Sequence, residues 1–318
     1  MPLKASVEQL CQLLGKTRGA YYDRRERVAT RYLEKDLILM LVSRAREDCA
    51  YGVRSLMDLL GDDFKAYGIK IGRDRLFDLL RRHNLLIRPR RRYVRTTNSH
   101  HHYRKWTNLI SDLEIDRPEM VWVSDITYIR TQSGFLYLSL ITDAYSRKVV
   151  GYHLSHKLEA RGAISALRMA IKGRQYPETS LIHHSDRGVQ YCCTAYTEIL
   201  QKVGIGISMG EKGNPYENAI AERINRTFKD QLYMGQVFED YAAALKRLVR
   251  AVYVYNNEKP HSSCDKLTPE QAHKVSGPLA RHWKSYPAKS KPDQIAPQKM
   301  IAQDHKDDQL FQDGHSEC

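Results

Sequence analysis

Three β-rich runs in close succession constrain what this chain can fold into more than any other feature. Val121 to Arg130, Phe135 to Thr142 and Lys148 to Leu154 are each of strand length, and Ser133-Gly134 and Ala144-Tyr145-Ser146-Arg147 join them. Such runs separated by short turn-forming joins predict an antiparallel meander. Helical spacing follows from about Glu159 to Lys172, then a fourth strand from Leu181 to His184 and a helix from Thr194 to Val203. A short fifth strand, Ile205 to Met209, precedes another helical pattern. The order β-β-β-α-β-α-β-α predicts an α/β core around a mixed five-stranded sheet.

Three carboxylates sit at telling places in this order. Asp125 lies within the first strand, in Trp122-Val123-Ser124-Asp125-Ile126-Thr127-Tyr128-Ile129, and Asp186 ends Leu181-Ile182-His183-His184-Ser185-Asp186. Glu222 lies in the helical stretch Asn218-Ala219-Ile220-Ala221-Glu222-Arg223-Ile224-Asn225, with thirty-five residues between it and Asp186. Neighbouring strands and a facing helix can bring such groups into one cleft. That donor set suits Mg²⁺, a hard ion that takes oxygen ligands. Two such ions ~3.5–4 Å apart serve in-line phosphoryl transfer. A lone Asp after a strand is more often a turn residue or helix cap, and Asp143 reads that way, because Ser146-Arg147 follow closely. Glu217 or Asn218 reads as the cap of the Glu222 helix.

The charge points to a polyanion. The 318 residues carry a net +14, with a pI near 9.4, which favours a nucleic-acid partner. Residues 1–106 hold 24 Lys and Arg against 12 Asp and Glu, and the remainder 27 against 25. The basic third reads as a binding arm and the rest as a catalytic body. Six cysteines show no paired or metal-ligand spacing, as expected of reduced thiols in a cytoplasmic protein. No signal core or membrane span is expected.

The organisation follows from these signals. Residues 1–34 form a short helical N-terminal segment, with Ser6 a plausible N-cap and a partial helix-turn-helix an open alternative. Residues 35–87 read as a fuller helix-turn-helix-like module: a helix from about Lys35 to Arg46, a second opened by Tyr51-Gly52-Val53-Arg54 and ended by Gly61, and a third from about Gly72 to His83. The third has Leu76, Phe77, Leu79 and Leu80 inward and Arg73, Arg75, Arg81 and Arg82 outward. It is a recognition helix for a major groove or the solvated face of a plain bundle. Residues 88–118 read as a basic linker, with Arg90, Arg91 and Arg92 tracking phosphates; His100-His101-His102 belong to it. Residues 119–275 are the core and 276–318 a disordered tail.

Five sequence words carry a resemblance: WVSDITY (122–128), LITDAYSRKVVG (140–151), HHSDRGVQY (183–191), GNPYENAIAER (213–223) and YNNEKPH (255–261). On these the chain resembles the second-reading-frame product of insertion-sequence-three family transposases, DDE enzymes of the retroviral integrase superfamily. The resemblance implies a ribonuclease H-like core and DNA cleavage and strand transfer at element ends. It maps the catalytic and metal-binding triad onto Asp125, Asp186 and Glu222, with two Mg²⁺ ions or Mn²⁺ in their place. It also implies a basic residue seven positions after the Glu, here Lys229, on the same helix face; the same helix shows Arg223, Asn225 and Arg226, also suited to backbone phosphates. His183, His184, Arg187 and Gln190 either orient the scissile DNA or cap the next element. Implied partners are double-stranded DNA (terminal repeats and target), further copies of the chain on that DNA, and a first-frame product or fusion, in the bacterial cytoplasm at the nucleoid. Two rival readings remain: an inactive DNA-binding relic or regulator of transposition, and a ribonuclease H-like nuclease that only hydrolyses.

Overall fold

A computed structural model of the chain describes residues 6–87, 103–210 and 219–280. The N-terminal part is helical: α1 (Val7–Leu13), α2 (Arg18–Ala45), α3 (Val53–Leu59), α4 (Gly61–Ala66) and α5 (Arg73–Arg82). Three expectations need correcting here. The helix foreseen from Lys35 is the C-terminal end of the 28-residue α2, so the expected boundary between residues 34 and 35 falls inside a helix. Nothing in Tyr32-Leu33-Glu34-Lys35 breaks a helix, and no proline or glycine interrupts α2 after Gly19. Gly61 opens α4 rather than ending α3. Within α5, Leu76 and Leu80 are fully buried but Phe77 is 41% exposed, contrary to its expected inward placement. Phe77 instead lies under the Arg81 guanidinium, 5.9 Å from its ring centre.

The core follows the expected order, with boundaries shifted by a residue or two. Strands β1 (Val121–Thr131), β2 (Gly134–Asp143) and β3 (Val149–Ser155) form the meander, followed by α6 (Ala160–Lys172) and β4 (Ile182–Ser185). Next come α7 (Val189–Cys192), α8 (Thr194–Lys202), β5 (Gly206–Met209), α9 (Ala219–Asp230), β6 (Val237–Phe238), α10 (Tyr241–Tyr253) and α11 (Pro269–Ala272). The sheet order is β3-β2-β1-β4-β5. β1, β2 and β3 pair antiparallel, and β4 and β5 add parallel to β1. A sixth strand that the sequence did not announce, the two-residue β6, pairs parallel with the end of β1. The word Tyr255 to His261 begins inside a π turn over Val254–Glu258.

Side-chain alternation along β1 distributes the core. Trp122 and Ile126 join α6 and α8 on one face, whereas Ile129 joins α9 and α10 on the other. Asp125, of odd parity like Ile129, therefore faces α9. The N-terminal helices share that second cluster: Leu41, Leu56, Leu76 and Leu80 are continuous with Phe228, Leu248 and Tyr255. Polar contacts fix the same junction. Asp48 bonds Arg247 and Arg250 at 3.0 and 2.6 Å, and Ala50 N–H donates to Gln231 O at 2.7 Å. The module is thus packed on the core.

The described part of the expected linker is also attached. Tyr103 and Trp106 pack on the sheet cluster, and Leu109 N–H donates to Ser208 Oγ at 2.9 Å. Arg90, Arg91, Arg92 and the three histidines lie outside the described residues. The expected tail starts as a docked strap: Gly277 N–H donates to Asp116 O and Tyr145 Oη donates to Gly277 O.

A buried ionic knot closes the core near its chain ends. Glu119, 1% exposed, accepts from Arg174 Nε (3.1 Å), Gln175 N–H (2.7 Å) and Tyr176 N–H (3.2 Å), with His273 Nε2 3.7 Å away. Burial alone would raise its pKa, but these donors overcome that and hold it at about 2. A carboxylate depressed in the fold stabilises it fully above the unfolded pKa, and that contribution disappears as pH falls through the folded value. Glu119→Gln should therefore cost about 3 kcal/mol near neutrality, where it breaks a buried pair. Urea unfolding of both proteins at several pH values should show the gap closing below about pH 4.5, towards pH 2.

Candidate active site

Strand register brings the first two carboxylates together. β1 and β4 run parallel, with Ser124 opposite Ser185. The next residue on each side is Asp125 and Asp186, so both leave neighbouring strands at the same level. Asp125 Oδ1 accepts from Ile126 N–H at 2.9 Å, and Asp186 Oδ1 accepts from Gly188 N–H at 3.0 Å. Gly188 is needed there for space: a Cβ would sit 2.9 Å from Asp186 Oδ1.

Helix α9 supplies the third carboxylate and a tie. Glu222 is exposed in its first turn. One turn on, the buried Asn225 donates from Nδ2 to Asp125 Oδ2 at 2.8 Å. Asn225, expected among the phosphate contacts of this helix, is instead turned inward onto the first carboxylate. The available signal was its spacing, three residues after Glu222 on a helix face turned to β1. Asn225 Oδ1 has no hydrogen-bond partner among the described residues. An amide flip would let it accept from Asp125 were that carboxyl protonated.

Electrostatics favour that proton. Burial, then the Asp186 charge, pushes the Asp125 pKa up to about 7, against the Asn225 and Ile126 hydrogen bonds, and Glu222 adds a smaller push in the same direction. Lys229 lies on the same side, its ammonium 5.0 Å from the Tyr128 ring centre. Burial lowers its pKa while the Asp125 charge raises it. Glu222, Arg226 and Asp230 line an open groove along α9, where Arg226 pairs with Asp230 at 3.4 Å.

The donor set is all carboxylate oxygen, and two of its members repel each other, which suits a hard divalent cation. Among the described residues, however, no three His, Cys, Asp or Glu side chains stand close enough to enclose an ion. Asp125 and Asp186 are juxtaposed, and Glu222 stands at the cluster's open side, just after residues 211–218, which lie outside the described set together with Glu217 and Asn218.

The flanking histidines are internal supports. His183 Nε2 lies 2.6 Å from Ser124 Oγ and 2.9 Å from Tyr196 Oη, and burial lowers its pKa to about 3, keeping it neutral. His184 Nδ1 lies 2.9 Å from Ser208 Oγ, and Gln190 Nε2 reaches Leu158 O at 3.4 Å. Asp143 is structural as expected: fully buried, it accepts from Ser146 and from Glu119 N–H. Farther away, Arg73 pairs with Asp74 and Arg81 with Asp78, both exposed. Arg75 lines a groove with Arg31, Lys35 and Arg82.

A carboxyl whose pKa rises on folding contributes stability below its unfolded value and loses it as pH rises through the folded one. Asp125→Asn should therefore raise the Tm of chelator-treated protein above about pH 7, by a margin that shrinks towards pH 4. Melting curves across that range check it; a margin independent of pH contradicts the electrostatic account.

Similarity to known proteins agrees with this geometry. Residues 116–215 and 203–269 both match the integrase core domain. The insertion element IS600 uncharacterized 31 kDa protein of Shigella sonnei is 34% identical over 265 residues, covering 82% of this chain and 96% of that protein. Transposase InsF for insertion sequence IS3A of Escherichia coli is 30% identical over 275 residues, covering 84% and 93%. The HTLV-2 integrase catalytic core in complex with magnesium is similar at a TM-score of 0.40 and 20% identity, over 49% of this chain and 97% of that one. With carboxylates from β1 and the end of β4 side by side beneath α9, and relatives matched along nearly their whole length, the chain belongs to the insertion-sequence-three family of DDE transposases.

Proposed function

We propose that this transposase cuts DNA at the ends of its element and joins the resulting 3′-hydroxyl to another phosphodiester, using Asp125, Asp186 and Glu222 as one acidic site. The observation that carries this reading is the β1–β4 register, which sets Asp125 beside Asp186 on the side facing α9. The three residues would hold divalent magnesium, two ions in the full site and Mn²⁺ as a substitute. Bound there, the metal would polarise the phosphoryl group and assist the attacking and leaving oxygens.

The chain's own groups have separable tasks. Asp125 and Asp186 supply fixed oxygen ligands from rigid strands, the placement that best holds ligand geometry. Asn225 orients the Asp125 carboxylate through its 2.8 Å hydrogen bond. Glu222 closes the site from α9. Lys229 and Arg226, on later turns of the same helix, would grip backbone phosphates and set the duplex in register, since such contacts position without reading sequence. Arg73, Arg75 and Arg81 on α5 would do the same for the N-terminal module, and Arg90, Arg91 and Arg92 for the segment that follows. Assembly would place more than one copy on the paired ends, with a first-frame product or fusion assisting end recognition.

A labelled terminal-repeat duplex incubated with Mg²⁺ tests the reading. Wild-type protein should give both the nicked and the joined product. Glu222→Gln should bind the duplex as before and lose product formation by on the order of a thousand-fold or more. Nicked product without any joined product would instead make the chain a hydrolytic nuclease. If wild type stays inert even with the first-frame partner, the chain is a DNA-binding relic.

A further inference from the structure

The N-terminal half of α2 carries the short α1 and is otherwise exposed among the described residues. Residues 12–33 are exposed at every position, whereas Ile38, Leu41 and Val42 of the same helix are buried in the core. From Arg18 to Leu33 the helix runs roughly 24 Å, at about 1.5 Å per residue. A helix solvated on all sides gains little from propensity alone, since most helical stability in proteins comes from packing. Such a segment calls for a partner.

Its tip is a built turn. The Ser6–Gln9 capping box starts α1. Gly15 N–H donates to Gln12 O and Lys16 N–H to Cys11 O, the bonding pattern of a Schellman stop. Gly15 has φ 61°, and a Cβ there would meet no atom within 4 Å, so glycine serves the left-handed turn and not close packing. Thr17 then caps α2 through Ala20 N–H, and Arg18 pairs with Glu8 across the turn at 3.8 Å. Two helices joined by a short Gly-containing turn, the second free to enter a groove, is the arrangement of DNA-reading helix pairs.

The exposed surface has the matching chemistry. Residues 12–33 carry Lys16, Arg18, Arg24, Arg25, Arg27 and Arg31 against only Asp23 and Glu26. Arg18, Tyr21, Tyr22 and Arg25 recur at the spacing of one helix face, and the two tyrosine rings meet edge to face at 5.3 Å. Exposed Leu13 and Leu33 could suit a second copy of the chain. Two such arms, however, would bring like net charge together, whereas a duplex neutralises it.

We propose that α1 and the first turns of α2 form a DNA-contacting element separate from both α5 and the carboxylate site, with the Arg18–Arg25 face set against duplex DNA. The choice of duplex DNA as the polyanion rests on the transposase reading; the arm itself is read from its own geometry. The experiment is fluorescence anisotropy of a labelled terminal-repeat duplex with the full chain in chelator, over a salt series, comparing wild type with an Arg18→Ala, Arg25→Ala variant. Alanine keeps the helix, which far-UV circular dichroism verifies. The salt slope of log affinity should fall by roughly two, about one for each phosphate that the variant leaves unneutralised. Wild-type affinity and slope in the variant overturn the proposal. So does sedimentation showing that Leu13→Ser with Leu33→Ser dissolves an oligomer while leaving DNA binding intact, which would make the arm an interface between copies. Strand transfer by wild type is scored separately with Mg²⁺. Transfer without arm-dependent binding sinks this inference alone, and arm-dependent binding without transfer sinks the reading of the acidic site alone.

Discussion

Two carboxylates held side by side at neighbouring parallel strands repel each other, and the rest of the site is arranged around that repulsion. The pairing of Ser124 with Ser185 leaves Asp125 and Asp186 no separation along the sheet. Neither strand can slip to relieve them, because a one-residue shift would turn Trp122, His183 and their neighbours to the wrong face. Burial, and after it the Asp186 charge, raises the Asp125 pKa towards neutrality, so that at ordinary pH part of the population avoids the second charge. Perturbation of this kind, with a named charge partner in a cleft, marks a candidate functional site more than a surface pair.

The Asn225–Asp125 bond explains why Glu222 can belong to the same site despite arriving from a different element. It ties α9 to β1 one turn beyond Glu222, and the helix is anchored beneath by Ile224 and Phe228 in the main core. Lys229 stays on this side of the helix, against Tyr128, three residues beyond Asp125 on β1. The exposed position of Glu222 is then a matter of the helix's first turn alone, while the remainder of α9 is fixed. An acidic side chain in the first turn also sits favourably in the helix dipole.

Legibility in the sequence followed the kind of force involved. The meander, β4, β5 and the helices between them could be read because period-2 and period-3.6 patterns report local backbone geometry directly, and the family because five sequence words match it. The attachment of the N-terminal helices to the core was not readable. It rests on Asp48 reaching Arg247 and Arg250 some two hundred positions away, and no local period encodes such a pair. Phe77 was misplaced for a related reason: its spacing puts it on the apolar side of α5, but an arginine stacking on the ring lets it remain exposed. The buried Glu119–Arg174–His273 knot likewise combines residues that are unremarkable in sequence and meaningful only once folded.

The packed junction changes how the basic third of the chain should be understood. A separate binding domain on a loose linker would leave its position relative to the acidic site undefined. Here α3, α4 and α5 share one hydrophobic cluster with α9 and α10, so any duplex held by the Arg75 face of α5 is at a set distance from Asp125. Hydrophobic continuity of that kind transmits position, because close-packed interiors deform little. Charge is therefore concentrated on elements whose geometry relative to the carboxylates is fixed by packing. Phosphate contacts can then determine which phosphodiester faces the acidic cluster, even though they carry no sequence information of their own.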